Sequence, residues 1–226
     1  MKRKHGYGQF CPVAKAAEIV AERWTPLVLR ELICGSRRFN ELRRGVPLMS
    51  PSLLAQRLRE LEDAGVVERR AGERGAREYH LTPAGAELGP IIESLGTWGA
   101  RWAQSRLTSS DYDPGLLMWD IRRNIDLDKL AGPDRLVVQF DLRDTSARTG
   151  RWWLVIDSGD VDLCLKDPGH PVDLFVLAPV RALTAVWMGQ TSMRAALASG
   201  ALEIVGPRKL AERFSRSLRL SAFAGR

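Results

Sequence analysis

The sequence predicts an α+β protein of two domains: a helical N-terminal half closed by a β-hairpin, then a C-terminal sheet-and-helix half. Three observations carry this. Thr-Pro, Ser-Pro and Thr-Pro at residues 25–26, 50–51 and 82–83 place a hydroxyl N-cap before a proline that needs no N–H, a helix-start signature. "VVERRAGERGAREYHLT", residues 66–82, leaves the helical period, with β-branched and aromatic residues on both sides of a glycine-flanked tip. Beyond residue 114, β-rich runs precede amphipathic segments.

Taken in order, "VAKAAEIVAERW" predicts a short first helix, "PLVLRELICG" a second that stops at Gly35, and "RFNELRRGV" a third that stops at Gly45. A fourth runs from Pro51 to Gly65, and the hairpin follows. Helix, helix, helix, hairpin is the order of a winged helix-turn-helix. A long helix from Pro83 to about Arg106 is expected next. Its stripe of Leu88, Ile91, Ile92, Leu95, Trp98, Ala100 and Trp102 is richer than a lone surface helix needs and reads as a dimer interface. The polar "LTSSDYDP", residues 107–114, marks the boundary between a domain at 1–108 and a domain at 115–226. In the second domain the expected elements are a helix in "PGLLMWDIRRNI" and strands in "DRLVVQFDLRD", "GRWWLVIDSGDVDLCLKD" and "VDLFVLAP". Helical "VRALTAVWMGQTSMRAALASG", a strand in "ALEIVG" and a closing helix in "PRKLAERFSRSL" complete it.

Composition bounds the function. The 226 residues are 45% hydrophobic and 27% charged, with a net charge of +7. Residues 1–110 hold 18 Lys/Arg against 12 Asp/Glu, and residues 111–226 hold 16 against 15. The excess positive charge therefore lies in the first half, which suits a polyanion. No apolar run reaches membrane-spanning length and no signal peptide opens the chain, so a cytoplasmic protein with no membrane partner is expected. Cys11, Cys34 and Cys164 form no CxxC pair, so neither disulfide, metal nor cofactor is expected, and Cys34 and Cys164 read as buried thiols.

On a helical wheel, Leu53, Leu54, Leu58 and Leu61 of the fourth helix share one face, with Arg57 inside that arc. Glu60, Glu41 or a phosphate at the helix edge are its candidate partners. Opposite lie Ser52, Ala55, Gln56, Arg59 and Asp63, with the small and hydrogen-bonding residues first, as a recognition helix requires. Gln56 can offer the bidentate amide that matches adenine, and Arg59 can reach guanine or phosphate. In the hairpin, Arg69, Arg70, Arg74 and Arg77 suit phosphates beside an adjacent minor groove. The candidate DNA-contacting set is Arg38, Ser50, Ser52, Gln56, Arg57, Arg59, Arg69, Arg70, Arg74 and Arg77.

"CPVAKAAEIVAERWTPLVLRELICGSRRFNELRRGVPLMSPSLLAQRLRELEDAGVVERR", followed by "YHLTPAGAEL", resembles the HxlR family of bacterial winged-helix regulators, which are MarR-like. The resemblance covers residues 11 to about 104. It implies a transcriptional repressor, not an enzyme, that binds double-stranded DNA as a homodimer on a pseudo-palindromic operator, with half-sites about one helical turn apart. Some members of that family sense oxidants or electrophiles through a cysteine at the place of Cys11. Here Cys11 follows basic residues and precedes a helix, both of which favour a thiolate.

The family's members end near the long helix, so the second half stands apart. Within it, "VDLFVLAPVRALTAVWMGQTSMRAALASGALEIVGPRKLAERFSRSL" resembles the sterol carrier protein fold. The resemblance implies helices over one face of a sheet and an apolar space for a hydrophobic small-molecule effector. Phe175, Leu183, Trp187, Met188, Met193, Leu197, Leu202 and Phe214 are the candidate lining, unless they simply fill it. No catalytic constellation is visible: His170, between prolines in "DPGHPVD", has no nucleophile nearby and reads as a loop residue. The competing reading is a carrier of lipids or other hydrophobes whose basic half binds DNA incidentally.

Overall fold

The computed structural model describes residues 6–72, 75–130, 135–146 and 149–225. The chain divides between Trp98 and Gly99 into two compact units.

In the first unit, α1 (Pro12–Val20), α2 (Thr25–Ile33), α3 (Phe39–Gly45) and α4 (Pro51–Asp63) precede the antiparallel hairpin of β1 (Val67–Ala71) and β2 (Arg77–Leu81). Val28, Leu29 and Leu32 of α2, Leu42 of α3, and Leu54, Leu58 and Leu61 of α4 converge on one core, closed by Val66 and Val67. These positions recur at helical spacing, so each helix turns a single apolar stripe inward. Ser50 caps α4 by accepting from the Leu53 N–H at 3.3 Å, and Thr82 caps the next helix by accepting from Gly85 N–H at 3.1 Å.

The sequence reading needs correction at three places here. Thr25 is not an N-cap: α2 starts one residue earlier in its bonding, with Trp24 in the left-handed region at φ 77° and its carbonyl accepting from Leu27 and Val28. The long helix is interrupted into α5 (Pro83–Ala86) and α6 (Gly89–Trp102). Pro90 has no N–H to donate to the preceding turn and clashes with it, so the helix restarts there. Cys34 is exposed because it caps the C-terminus of α2, two positions past buried Leu32 and so on the opposite side of the wheel.

The second unit opens with α7 (Pro114–Arg123), capped by Asp113, and continues with β3 (Arg135–Leu142), β4 (Arg151–Asp157), β5 (Asp160–Cys164) and β6 (Leu174–Ala178). Then come α8 (Val180–Trp187), α9 (Met193–Ala198), β7 (Glu203–Val205) and α10 (Arg208–Ser217). The sheet order is β5-β4-β3-β6-β7, with β3 and β6 parallel and the other pairs antiparallel. Cys164 ends the edge strand β5 and is only half-buried, not the enclosed thiol its apolar context suggests.

Alternate residues of the central strands, Leu136, Val138 and Phe140 on β3 and Trp152, Leu154 and Ile156 on β4, face one helical layer. Met118 and Ile121 of α7, Leu183 and Val186 of α8 and Phe214 of α10 meet them there. Phe140 and Phe214 contact edge to face, with ring centroids 6.1 Å apart and planes at 63°. The result is α+β: a winged helix-turn-helix followed by a sheet covered by helices.

Candidate functional site

The fourth helix carries the first candidate surface. Burying Leu54, Leu58 and Leu61 leaves Ser52, Gln56, Arg59 and Asp63 exposed on the outer side of α4. Gln56 Nε2 donates to Glu60 Oε1 at 2.9 Å, so its amide is engaged one turn along and must rotate away to meet a base. Ser50 and Ser52 hydroxyls lie 3.2 Å apart at the start of α4, which ties Ser50 to the cap while leaving Ser52 exposed. Arg57 is different: its side chain is 13% exposed and pairs with Glu22 at 3.0 Å and with Glu60. Its Nε is buried with no hydrogen-bond partner among the described residues. Of the candidate partners, Glu60 is the one that meets Arg57; Glu41 instead accepts from the backbone N–H groups of Arg37 and Arg38 at 2.8 and 3.0 Å, closing the start of α3.

The wing does not present Arg69, Arg70 and Arg77 as one surface. Register pairs Arg69 with Tyr79, Arg70 with Glu78 and Ala71 with Arg77. Because strand side chains alternate, Arg69 and Arg77 share the face of Tyr79 and Leu81, and Arg70 lies on the other with Glu68, Glu78 and His80. Arg69 is held by Glu62 of α4 at 2.6 Å, which raises its pKa above the ordinary guanidinium value through that hydrogen bond and the adjacent carboxylate. Arg70 donates to Glu68 at 2.8 Å. Arg38, half-exposed before α3, lies 3.7 Å from Glu78, whose other oxygen meets His80 at 3.1 Å. Arg59 and Arg77 are exposed and have no ion pair among the described residues, so both are available to phosphate at no cost in broken pairs. Arg74 lies outside the described residues. Arg43 and Arg44, exposed in the last turn of α3, join this basic surface and were not singled out from sequence, where they look like an ordinary helix C-terminus.

Beneath this surface the helix-turn-helix is set by a buried charge. Glu31 is fully buried and accepts from Arg30 Nη2 at 2.7 Å and Ser36 Oγ at 3.2 Å, and Arg30 Nη2 also donates to the Gly45 carbonyl at 2.8 Å. Nothing in the sequence pattern distinguishes Glu31 from a solvated glutamate.

The second candidate is a small apolar pocket open to solvent, lined by Ile121, Leu183, Val186, Trp187, Met193, Ser215, Leu218, Arg219 and Leu220. Three of the residues singled out from sequence meet there: Leu183, Trp187 and Met193. Leu202 and Phe214 are fully buried in the core, Phe175 is half-buried on β6, Met188 is half-buried at the end of α8, and Leu197 is exposed. Ile121, Val186, Ser215 and the 218–220 tail are the lining that sequence left unassigned. The tail follows the last helix and carries no periodicity, and it is brought in by the bridge between Ile125 and Leu218 and by Ser221 N–H donating to the Trp187 carbonyl at 2.8 Å. At the pocket rim Arg219 pairs with Asp126 at 3.3 Å.

Cys11 is half-buried at the N-cap of α1 and makes no side-chain capping bond. Among the described residues no group of three or more His, Cys, Asp or Glu could hold a metal, and no helix is long and apolar enough to cross a membrane.

Residues 19–107 match the HxlR-like helix-turn-helix family and residues 121–219 match the SCP-2 sterol transfer family. The HTH-type transcriptional regulator YvaP of Bacillus subtilis (strain 168) is 39% identical over 97 residues, 42% of this chain and 90% of YvaP. YkvN of the same organism, also an HTH-type transcriptional regulator, is 33% identical over 105 residues, 46% of this chain and 89% of YkvN. Among solved structures, the redox regulator HypR in its reduced form is 32% identical over 42% of this chain and 96% of its own, with a TM-score of 0.39. The chain thus belongs to the HxlR-like helix-turn-helix family, and residues 121–219 in its second half are similar to the SCP-2 sterol transfer family.

Proposed function

We propose that this protein is a sequence-specific DNA-binding transcriptional repressor that acts as a homodimer and is controlled by an apolar ligand in its second half. Residues 1–108 bind DNA and dimerise, and residues 115–226 bind the ligand. The observation that carries the DNA reading is the exposed row Ser52, Gln56 and Arg59 on a helix whose other side is anchored in the core, with exposed Arg77 on the wing; neither arginine has an ion pair among the described residues. Side chains that can read base edges stand on a rigid element, and cations that can hold phosphate stand beside them.

A second copy of the chain is the occupant that suits α6. Ile91, Leu95, Trp98 and Trp102 are 58%, 52%, 59% and 64% exposed and recur every three or four residues, a stripe that a helix normally buries. Pairing α6 with its symmetry mate would cover it and set the spacing of the two α4 helices.

The test is selection of duplexes from a random pool by the purified protein, followed by binding measured against salt. A recovered two-fold motif, bound about a thousandfold or more tighter than random DNA, is the expected result. Binding with a steep salt slope and no preferred site would overturn the regulator. It would instead favour a carrier of hydrophobes that binds DNA incidentally, a reading the apolar pocket also supports.

A further inference from the structure

The two sides of α8 face different things. Leu183, Val186 and Trp187 line the pocket, whereas Arg181 lies on the opposite side of the helical wheel and is exposed. From that outer side two contacts reach the segment that continues from α6. Arg181 Cζ stands 5.7 Å from the ring centroid of Tyr112, within cation–π range. At the far end of α8, Gln190 Nε2 donates to Gln104 Oε1 at 3.1 Å, two residues beyond Trp102, the last residue of α6.

Gln190 is not a loose surface residue. Gly189 takes φ 69°, and the Gln190 N–H returns to the Ala185 carbonyl at 2.9 Å, so the turn is locked to the end of α8. Trp187 and Met193, the pocket-lining residues on either side of that turn, bracket Gln190 by three residues each. Tyr112 in turn packs against the core. The segment between α6 and α7 is therefore held at both ends of the helix that forms the pocket wall.

We propose that α8 is the coupling element between the pocket and α6: a ligand that moves the wall formed by Leu183, Val186 and Trp187 moves residues 103–113 through Arg181–Tyr112 and Gln190–Gln104. This rests on the reading of the pocket as a ligand site. The ligand shifts α6 only so far as it favours one arrangement of α8 over another.

The test compares the full chain with a variant carrying Gln104→Ala, Arg181→Ala and Gln190→Ala, all outside the pocket lining, using the neutral apolar dye Nile red as the pocket probe. Hydrogen exchange is read by mass spectrometry on peptides covering α8 and residues 99–113. In the parent chain Nile red should slow exchange in both regions. In the variant it should still bind and still slow exchange in α8, while its effect on residues 99–113 is lost. Where the selected duplex exists, Nile red should change the parent chain's DNA affinity by about fivefold or more and leave the variant's unchanged. An effect confined to α8 in the parent chain, or one on residues 99–113 that survives in the variant, overturns the coupling while the pocket stands. Failure of Nile red to bind overturns the pocket reading and the coupling with it. The exchange result is independent of DNA, so a protein without a preferred site can still pass or fail it.

Discussion

Glu31 and Gly45 occupy each other's space: a Cβ on Gly45 would come within 1.9 Å of the Glu31 side chain. The carboxylate of α2 therefore sits against bare backbone at the end of α3, and Arg30 closes the arrangement by donating to both Glu31 and the Gly45 carbonyl. This contact fixes how α3 meets α2, just before the turn into α4. Gly45→Ala should destabilise the first unit by about 1–3 kcal/mol, since the Glu31 end that the added methyl meets is buried and must give up its bonds from Arg30 and Ser36 to move aside. Thermal unfolding should show the drop. An unchanged midpoint would mean that Glu31 can leave its site freely.

Gln56→Ala should weaken binding to the selected duplex by about 1–3 kcal/mol and relax the preference at one position. Its amide must exchange the bond to Glu60 for one to a base, so part of the gain is offset in the wild type. Equal weakening on random DNA would show that Gln56 reads no base.

Arg77→Ala should behave differently. An exposed guanidinium with no ion pair among the described residues is suited to phosphate, so its loss should weaken all duplexes alike and reduce the salt slope by about one. Arg69→Ala should cost less than Arg77→Ala in DNA affinity, because Arg69 is already bound to Glu62. The reverse order, measured by anisotropy across salt, would show that Arg69 releases Glu62 for DNA.

Much of this architecture is legible in sequence because local rules and packing agree. Ser50-Pro51 and Thr82-Pro83 start helices where a hydroxyl caps and a proline needs no N–H, and Leu54, Leu58 and Leu61 keep the period of a one-sided helix. Pro90 was equally visible, but the apolar stripe that spans it hid the break between α5 and α6. Site chemistry was less legible, for a physical reason. Phe214 and Trp187 are both large apolar residues at helical spacing, yet one meets Phe140 in the core and the other lines the pocket. That difference depends on how neighbouring elements close around each residue, which periodicity does not encode. The wing arginines show the same limit: composition counts four, whereas register sets Arg70 on the other face from Arg69 and Arg77, and Glu62 and Glu68 engage two.

Phe214→Ala should cost about 3–5 kcal/mol in the second unit, the range for removing a buried aromatic side chain. Trp187→Ala should cost less stability and more Nile red affinity, since Trp187 is half-buried on the pocket wall. Equal stability losses from the two would place Trp187 in the core.

Asp126 gives the second unit a pH dependence of defined sign. Burial alone pushes its carboxyl up, but Lys129 and Arg219, each 3.3 Å away, outweigh burial and hold it below the usual aspartate value. A carboxyl whose folded pKa lies below its unfolded one, about 3.9, stabilises the fold above that pH. The contribution is lost as pH falls through that value towards the folded pKa. Its position matters because the Asp126 N–H donates to the Ser217 carbonyl at 2.7 Å, so the carboxylate and the backbone together hold the end of α10, where the pocket tail begins. Asp126→Asn keeps the shape and removes the charge. Its unfolding midpoint should lie below the parent's at neutral pH and converge with it in acid, as measured by thermal unfolding across a pH series. Parallel curves would show that the charge of Asp126 contributes nothing, and that the backbone bond alone anchors the tail.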